Sequence, residues 1–161
     1  MKPSEAVYLT KSRLVEIENE LRELKTTGRK YIAEKIAEAR AHGDLSENAE
    51  YDAAKEAQSH HEMRIGKLET MLSRVKIISP SDLPSDEVYI LSVVKVRDIT
   101  LKEEFSFSLV SPEEADFEKD KISVTSPIGN ALLGKKLHDV VEIQVPAGIV
   151  KYKILEISKI I

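Results

Sequence analysis

The stretch EARAHGDLSENAEYDAAKE, residues 38–56, decides how this chain folds. It carries six carboxylates and a single large aliphatic residue, Leu45, and it lies between two runs of helical periodicity. Before it, apolar residues recur at Leu14, Ile17, Leu21, Leu24, Ile32 and Ile36, a spacing that reads as a heptad seam with one stutter. After it, Ala54, Ala57, Ile65, Leu68, Leu72 and Val75 repeat that spacing in reverse order. Residues 11–76 contain no proline, and their only glycines are Gly28, Gly43 and Gly66. Two long helices flank the stretch.

Their mirror relation sets a register. Leu14 with Val75, Ile17 with Leu72, Leu21 with Leu68, Leu24 with Ile65, Gly28 with His61 and Ile32 with Ala57 are pairs whose numbers add to 89. A constant sum means that the seams meet only if the chain folds back between Asp44 and Leu45. The expected structure is an antiparallel coiled-coil hairpin with arms of roughly 45 Å, at about 1.5 Å per residue. Ala39, Ala53, Ala54 and Ala57 replace larger residues near the turn, which predicts a slender distal end.

Beyond residue 76 the texture changes. IISPSDLPSD, with two prolines, reads as a linker over 77–87. Short β-rich runs follow at 88–99, 105–110, 121–124, 140–145 and 149–157, the last two joined by Pro146-Ala147-Gly148 as a hairpin. Between them SPIGNALLGK, residues 126–135, predicts a short helix with Ser126 as N-cap, Pro127 at its first position and Gly134 closing it. The fold class is α+β: a hairpin over 1–76 with its acidic tip near 44–47, and an antiparallel sheet domain over 88–161.

Composition narrows the function. The chain has 161 residues, 42% hydrophobic and 32% charged, with no cysteine and no tryptophan. That excludes disulfides and thiolate metal sites and fits a reducing compartment. No segment approaches the roughly 20 apolar residues that span a bilayer, and the start lacks a signal-peptide pattern, so a cytoplasmic protein without a membrane partner is expected. Residues 1–79 hold 14 basic and 14 acidic side chains, whereas 80–161 hold 10 and 14. Neither half is basic enough to bind duplex nucleic acid by bulk charge.

At the turn two readings compete. Gly43 can close the first helix, and Asp44 with Glu47 three positions later matches a capping box, with Ser46 as a rival N-cap. Alternatively, a pair of carboxylates on an exposed loop at the end of a rigid arm is presented to a partner. Two carboxylates are too few to hold Mg²⁺ alone but can complete the shell of an ion that a partner already holds. Arg40 and Lys55 flank the tip, and Lys55 with Arg64 and Lys67 offers contacts for a phosphate backbone. His42, His60 and His61 do not converge as a zinc set.

Residues 36–56, with their GDLSEN turn, resemble the signature of the bacterial transcript cleavage factors of the Gre family. ISVTSPIGNALLGKK followed by DVVEIQVPAGIVKYKILEI resembles that family's C-terminal domain, whose fold is FKBP-like. The resemblance covers nearly the whole chain. It implies a monomeric accessory factor, not itself an enzyme, whose partners are RNA polymerase and the 3′ end of nascent RNA. The C-terminal domain would grip the rim of the polymerase's secondary channel through Ser126 and Pro127, and the coiled coil would enter it. Asp44 and Glu47 would share a Mg²⁺ with the polymerase while Arg40 and Lys55 contact RNA, promoting cleavage of backtracked transcripts. The chain departs from the family pattern at Ser46, where some members have Lys, at His138, where many have Gly, and at LTKSRL, residues 9–14. Rival readings are a non-cleaving channel regulator, a structural coiled-coil adaptor and, from the fold alone, a prolyl isomerase. The last needs an aromatic pocket, for which the C-terminal half offers Tyr89, Phe105, Phe107, Phe117 and Tyr152.

Overall fold

The computed structural model describes residues 6–42 and 48–161. The chain divides into two compact units, residues 13–73 and residues 1–12 with 74–161. The helical unit therefore ends earlier than residue 76, and residues 6–12 belong with the C-terminal half.

The helical unit consists of α1 (Lys11–Glu23), a π turn (Leu24–Gly28), α2 (Arg29–Arg40) and the antiparallel α3 (Ala49–Leu72). On the first arm the seam residues Leu14, Ile17, Leu21, Leu24, Gly28, Ile32, Ile36 and Ala39 are all buried or half-buried. The opposing stripe is Tyr51, Ala54, Gln58, His61, Ile65, Leu68 and Leu72. Ala53 and Ala57, expected in the seam, are exposed, and Gln58 takes the inward position. Cross-arm bonds report the register directly. Arg64 donates twice to Glu20 at 2.6 and 2.9 Å through one nitrogen and again at 3.0 Å through another. Arg29 pairs with both oxygens of Glu62 at 3.1 and 2.9 Å. These pairs are about half-exposed, and each adds little to stability because solvent screens it. Burying Ile17, Ile65, Leu68 or Met71, each at most 2% exposed, contributes about 1.5–3 kcal/mol. The aliphatic stripe supplies the stability and the ion pairs discriminate between registers.

The stutter is a π turn. From Leu24 to Ile32 is one residue more than a heptad, and the wider turn absorbs it without rotating the seam away from α3. His61 reaches across to it, and its Nε2–H donates to the carbonyl of Leu24 at 2.7 Å. The ring lies so close to Gly28 that a Cβ there would stand 2.5 Å from Cε1. The expected pairing of Gly28 with His61 is thus a direct contact.

At the base the helix stops before Val75. Val75–Ile77 forms β2, which pairs in parallel with β1 (Val7–Leu9), Val7 opposite Val75. The β-branched residues of VKI favour extended backbone, and the strand at 7–9 gives it a partner. Val75, expected to continue the helical seam, lies instead in a strand ladder. The expected linker is also structured: Pro80–Asp82 makes a 3₁₀ turn and Leu83, 8% exposed, packs with Leu91 and Val110.

The sheet of the second unit runs β5-β4-β3-β7-β6, where β3 is Ser92–Asp98, β4 Glu104–Val110, β5 Lys121–Ser123, β6 Val140–Val145 and β7 Gly148–Lys159. Its pairings are antiparallel except β4 with β5, which is parallel, so the sheet is mixed rather than purely antiparallel. A bulge at Lys95/Val96 interrupts the β3–β7 ladder. The helix α4 (Pro127–Leu132) brings Leu132 into a core of Val88, Val94, Val96, Leu109 and Ile154. As expected, Pro146 and Ala147 form the turn of the β6–β7 hairpin, and Gly148 takes φ +131°. His138 adopts φ +73°, the left-handed region that suits glycine.

Three stability tests rest on these backbone positions. Gly66→Ala, where a Cβ meets nothing within 4 Å, raises stability by about 0.5–1 kcal/mol in urea unfolding. Gly28→Ala lacks that gain, because the displaced His61 ring gives up its bond to Leu24, a loss of about 1 kcal/mol. His138→Gly stabilises by about 0.5–1 kcal/mol, since the left-handed conformation costs an L residue about 1–2 kcal/mol and glycine returns part of that as chain entropy. The urea midpoint checks all three.

Candidate functional site

The two arms approach the turn through a small set of polar contacts. The last residues of α2 leave carbonyls without helical donors, and that of Ala39 accepts two bonds. One comes from the backbone N–H of His42 at 3.2 Å and the other from Nδ2 of Asn48. A carbonyl has lone pairs for both. Asn48 is also the N-cap of α3: its backbone is extended, at φ −89° and ψ 98°, and Oδ1 accepts from the N–H of Tyr51 at 3.1 Å. Asp44 and Ser46, the expected candidates for this cap, give way to Asn48. Asp44, Glu47, Gly43 and Ser46 themselves lie outside the described residues.

Arg40 closes α2 and is exposed, its guanidinium 5.8 Å from the centre of the Tyr51 ring. That distance permits a cation–π contact, and a cation in the last turn suits the helix dipole. Lys55, exposed on α3, donates to Oε1 of Gln58 at 2.8 Å rather than pairing with Glu56. Of the more proximal cations, Arg64 pairs with Glu20 across the arms. Farther along, the side-chain hydrogen bond from Arg29 holds the Glu62 carboxyl below the usual carboxylate range, while Glu62 raises the Arg29 guanidinium. This stabilising pair is therefore present at neutral pH and is lost as pH falls through the lowered value of Glu62.

The histidines are dispersed. His42 faces Glu50 at 3.6 Å, His60 faces Glu56 at 3.6 Å along one helix, and His61 bonds to Leu24. Among the described residues no three His, Cys, Asp or Glu side chains gather as a metal site.

In the second unit Ser126 is the N-cap of α4, as expected. Its hydroxyl accepts from the N–H of Gly129 at 3.1 Å and donates to the carbonyl of Ser123 at 2.6 Å. Pro127, the first residue of the helix, is exposed. The aromatic residues do not line one cavity. Phe105, Phe107 and Tyr152 pack on one another with ring centroids 6.1–6.2 Å apart, and a separate concavity is bordered by Tyr8, Glu87, Tyr89 and Ile90.

Asn48 and Tyr51 are the site residues that sequence reasoning overlooked. A signal existed, since Asn ranks with Asp and Ser as an N-cap, but three such residues within five positions left the choice open.

Comparison with known proteins covers both units. Residues 7–77 match the model of the N-terminal domain of transcription elongation factors, and residues 83–159 match that of the GreA/GreB C-terminal domain. The chain is 51% identical over 155 residues to transcription elongation factor GreA of Chloroherpeton thalassium, covering 96% of this chain and 98% of that protein. It is 53% identical over 156 residues to GreA of Thermoanaerobacter pseudethanolicus, covering 97% and 99%. Among solved structures, the Gfh1 protein of Thermus thermophilus, a GreA factor homologue, is 29% identical over 95% of this chain and 99% of its own, with a TM-score of 0.44. Both domain models in order along the chain, together with identity near half over almost its full length, establish that it belongs to the GreA/GreB family of transcription elongation factors.

Proposed function

We propose that this chain is an accessory factor that binds RNA polymerase and stimulates it to hydrolyse the 3′ portion of backtracked nascent RNA, with Asp44 and Glu47 as the residues it contributes to the reaction. The observation that carries this reading is the Asn48 cap. The start of α3 already has its side-chain acceptor, so the two acids are not required for the capping role that best explained them as structure. They remain as carboxylates between the ends of two antiparallel helices, in a chain of the elongation-factor family.

The donor chemistry fits Mg²⁺. Carboxylate oxygens are hard ligands suited to it, but two side chains leave an octahedral shell incomplete, and no cluster of three such groups exists among the described residues. Asp44 and Glu47 would supply two of the ion's ligands, and the polymerase would supply the rest. A Mg²⁺ shared in this way would supply charge neutralisation and a reactive water for attack on the phosphodiester. Asp44 and Glu47 bring negative charge and acceptor oxygens to the reacting centre, and a carboxylate oxygen orients the attacking water by accepting its hydrogen bond. Arg40, in the last turn of α2 beside Tyr51, and Lys55 contact RNA phosphates as point charges. Cleavage releases a short 3′ fragment and leaves a new 3′ end from which elongation resumes.

Reach supports the same reading. The 24 residues of α3 amount to about 36 Å of helix, and a two-helix arm is narrow enough to enter the polymerase's secondary channel. At the rim, contact runs through the exposed ring of Pro127, because the Ser126 hydroxyl is occupied within the fold.

The test uses a stalled, backtracked elongation complex with end-labelled RNA. Wild-type protein releases a short 3′ fragment in the presence of Mg²⁺. Asp44→Asn and Glu47→Gln each lower the cleavage rate by roughly 10²-fold or more, as loss of a group acting at the reacting centre does, while polymerase affinity stays unchanged. Binding without cleavage by the wild type would make the protein a channel occupant instead.

A further inference from the structure

We propose that Asn48 is a positioning residue, its carboxamide clamping the end of α2 to the start of α3 on either side of residues 43–47. This rests on the hydrolytic reading above. The described residues on either side of residues 43–47 are His42 and Asn48, and both bond to one atom, the carbonyl oxygen of Ala39. Ala39 is 3% exposed, the most buried residue of α2, so the shared acceptor is itself held in place by packing. Asn48 acts there in two ways. Oδ1 terminates α3 by accepting from Tyr51, and Nδ2 reaches the opposite arm. His42 and Asn48, the described residues that flank 43–47, thus share one anchor.

The residue type is informative. Ser, Thr or Asp caps a helix about as well as Asn, so capping alone does not select a carboxamide. Only Asn among good caps carries an acceptor and an amide donor side by side, and Asp would set a carboxylate against the Ala39 carbonyl. The other cross-arm contacts at this level are looser. His42 and Glu50 are both largely exposed at 3.6 Å, and Arg40 meets Tyr51 through a ring face at 5.8 Å. Exposed pairs of this kind hold geometry weakly, whereas the Asn48 bonds are partly buried. A pair of carboxylates that must meet an ion and a water within about half an ångström needs such support, since a loop left to order itself loses most of its advantage on binding.

Two variants separate the clamp from the cap. Asn48→Ser keeps a side-chain acceptor for Tyr51 but cannot reach Ala39, and Asn48→Ala loses both functions. In the cleavage assay at saturating factor, both variants are expected to fall by roughly tenfold, the scale on which supporting residues affect a metal-dependent site. Both are expected to need more Mg²⁺ for half-maximal rate. For Asn48→Ser, affinity for polymerase stays at its wild-type value, and the thermal midpoint falls by no more than the loss of one partly buried hydrogen bond accounts for. The clamp is overturned if Asn48→Ser cleaves like wild type while Asn48→Ala does not, which assigns the residue to capping only. It is equally overturned if the loss in Asn48→Ser follows a loss of polymerase binding or of helix content. A wild type that binds without cleaving would instead overturn the hydrolytic reading and the clamp with it, whereas a cleaving wild type matched by Asn48→Ser removes the clamp alone.

Discussion

One tight contact, the His61 ring against Gly28, governs the first arm of the hairpin. Two helices that pack along one stripe each hold their register only while every inward position meets a counterpart. The extra residue between Leu24 and Ile32 would turn everything beyond it out of phase by about 100°, the angular step of one helical residue. The π turn absorbs that residue, and His61 secures the turn by bonding to the Leu24 carbonyl where glycine leaves room for the ring. The inward facing of Ile32, Ile36 and Ala39, and with it the position of the Ala39 carbonyl, depends on that local correction.

The polar contacts along the arms have a different task from the aliphatic stripe. Glu20–Arg64, Lys25–Glu69 and Arg29–Glu62 are exposed enough that their net energies are small. A slipped register would part Glu20 from Arg64, so the pairs mark the register more than they stabilise it. Toward the turn, where alanine replaces leucine and little apolar surface is left, the Asn48 hydrogen bonds take over the task of joining the arms.

The second unit carries its own constraint. β1 and β2 come from segments 68 residues apart in the pairing of Val7 with Val75, so the described start of the chain and the residues that follow the hairpin are joined by one ladder. The hairpin is in effect an insertion between two strands of one small unit. That arrangement ties both covalent connections of the helical arms to paired backbone.

The heptad spacing, the mirror register at Gly28 and His61, the place of the turn, the caps of α4 and the β6–β7 hairpin were legible in the sequence, because each depends on residues close together or on a period that repeats. The sequence also carried the acidic pair and its flanking cations, Arg40 and Lys55. Tertiary structure alone decided the rest. A stutter can be spread over several turns or gathered into one, and the ring of His61 selects the single π turn. Asp44, Ser46 and Asn48 compete as caps on nearly equal terms, and the buried carbonyl of Ala39 on the other arm favours the side chain whose donor and acceptor sit on separate atoms, so that one caps α3 while the other reaches across. Val75 fits a helical seam as well as a strand until Val7 offers it a partner. In each case local preference was nearly balanced, and the deciding energy came from a group distant in the chain and close in space.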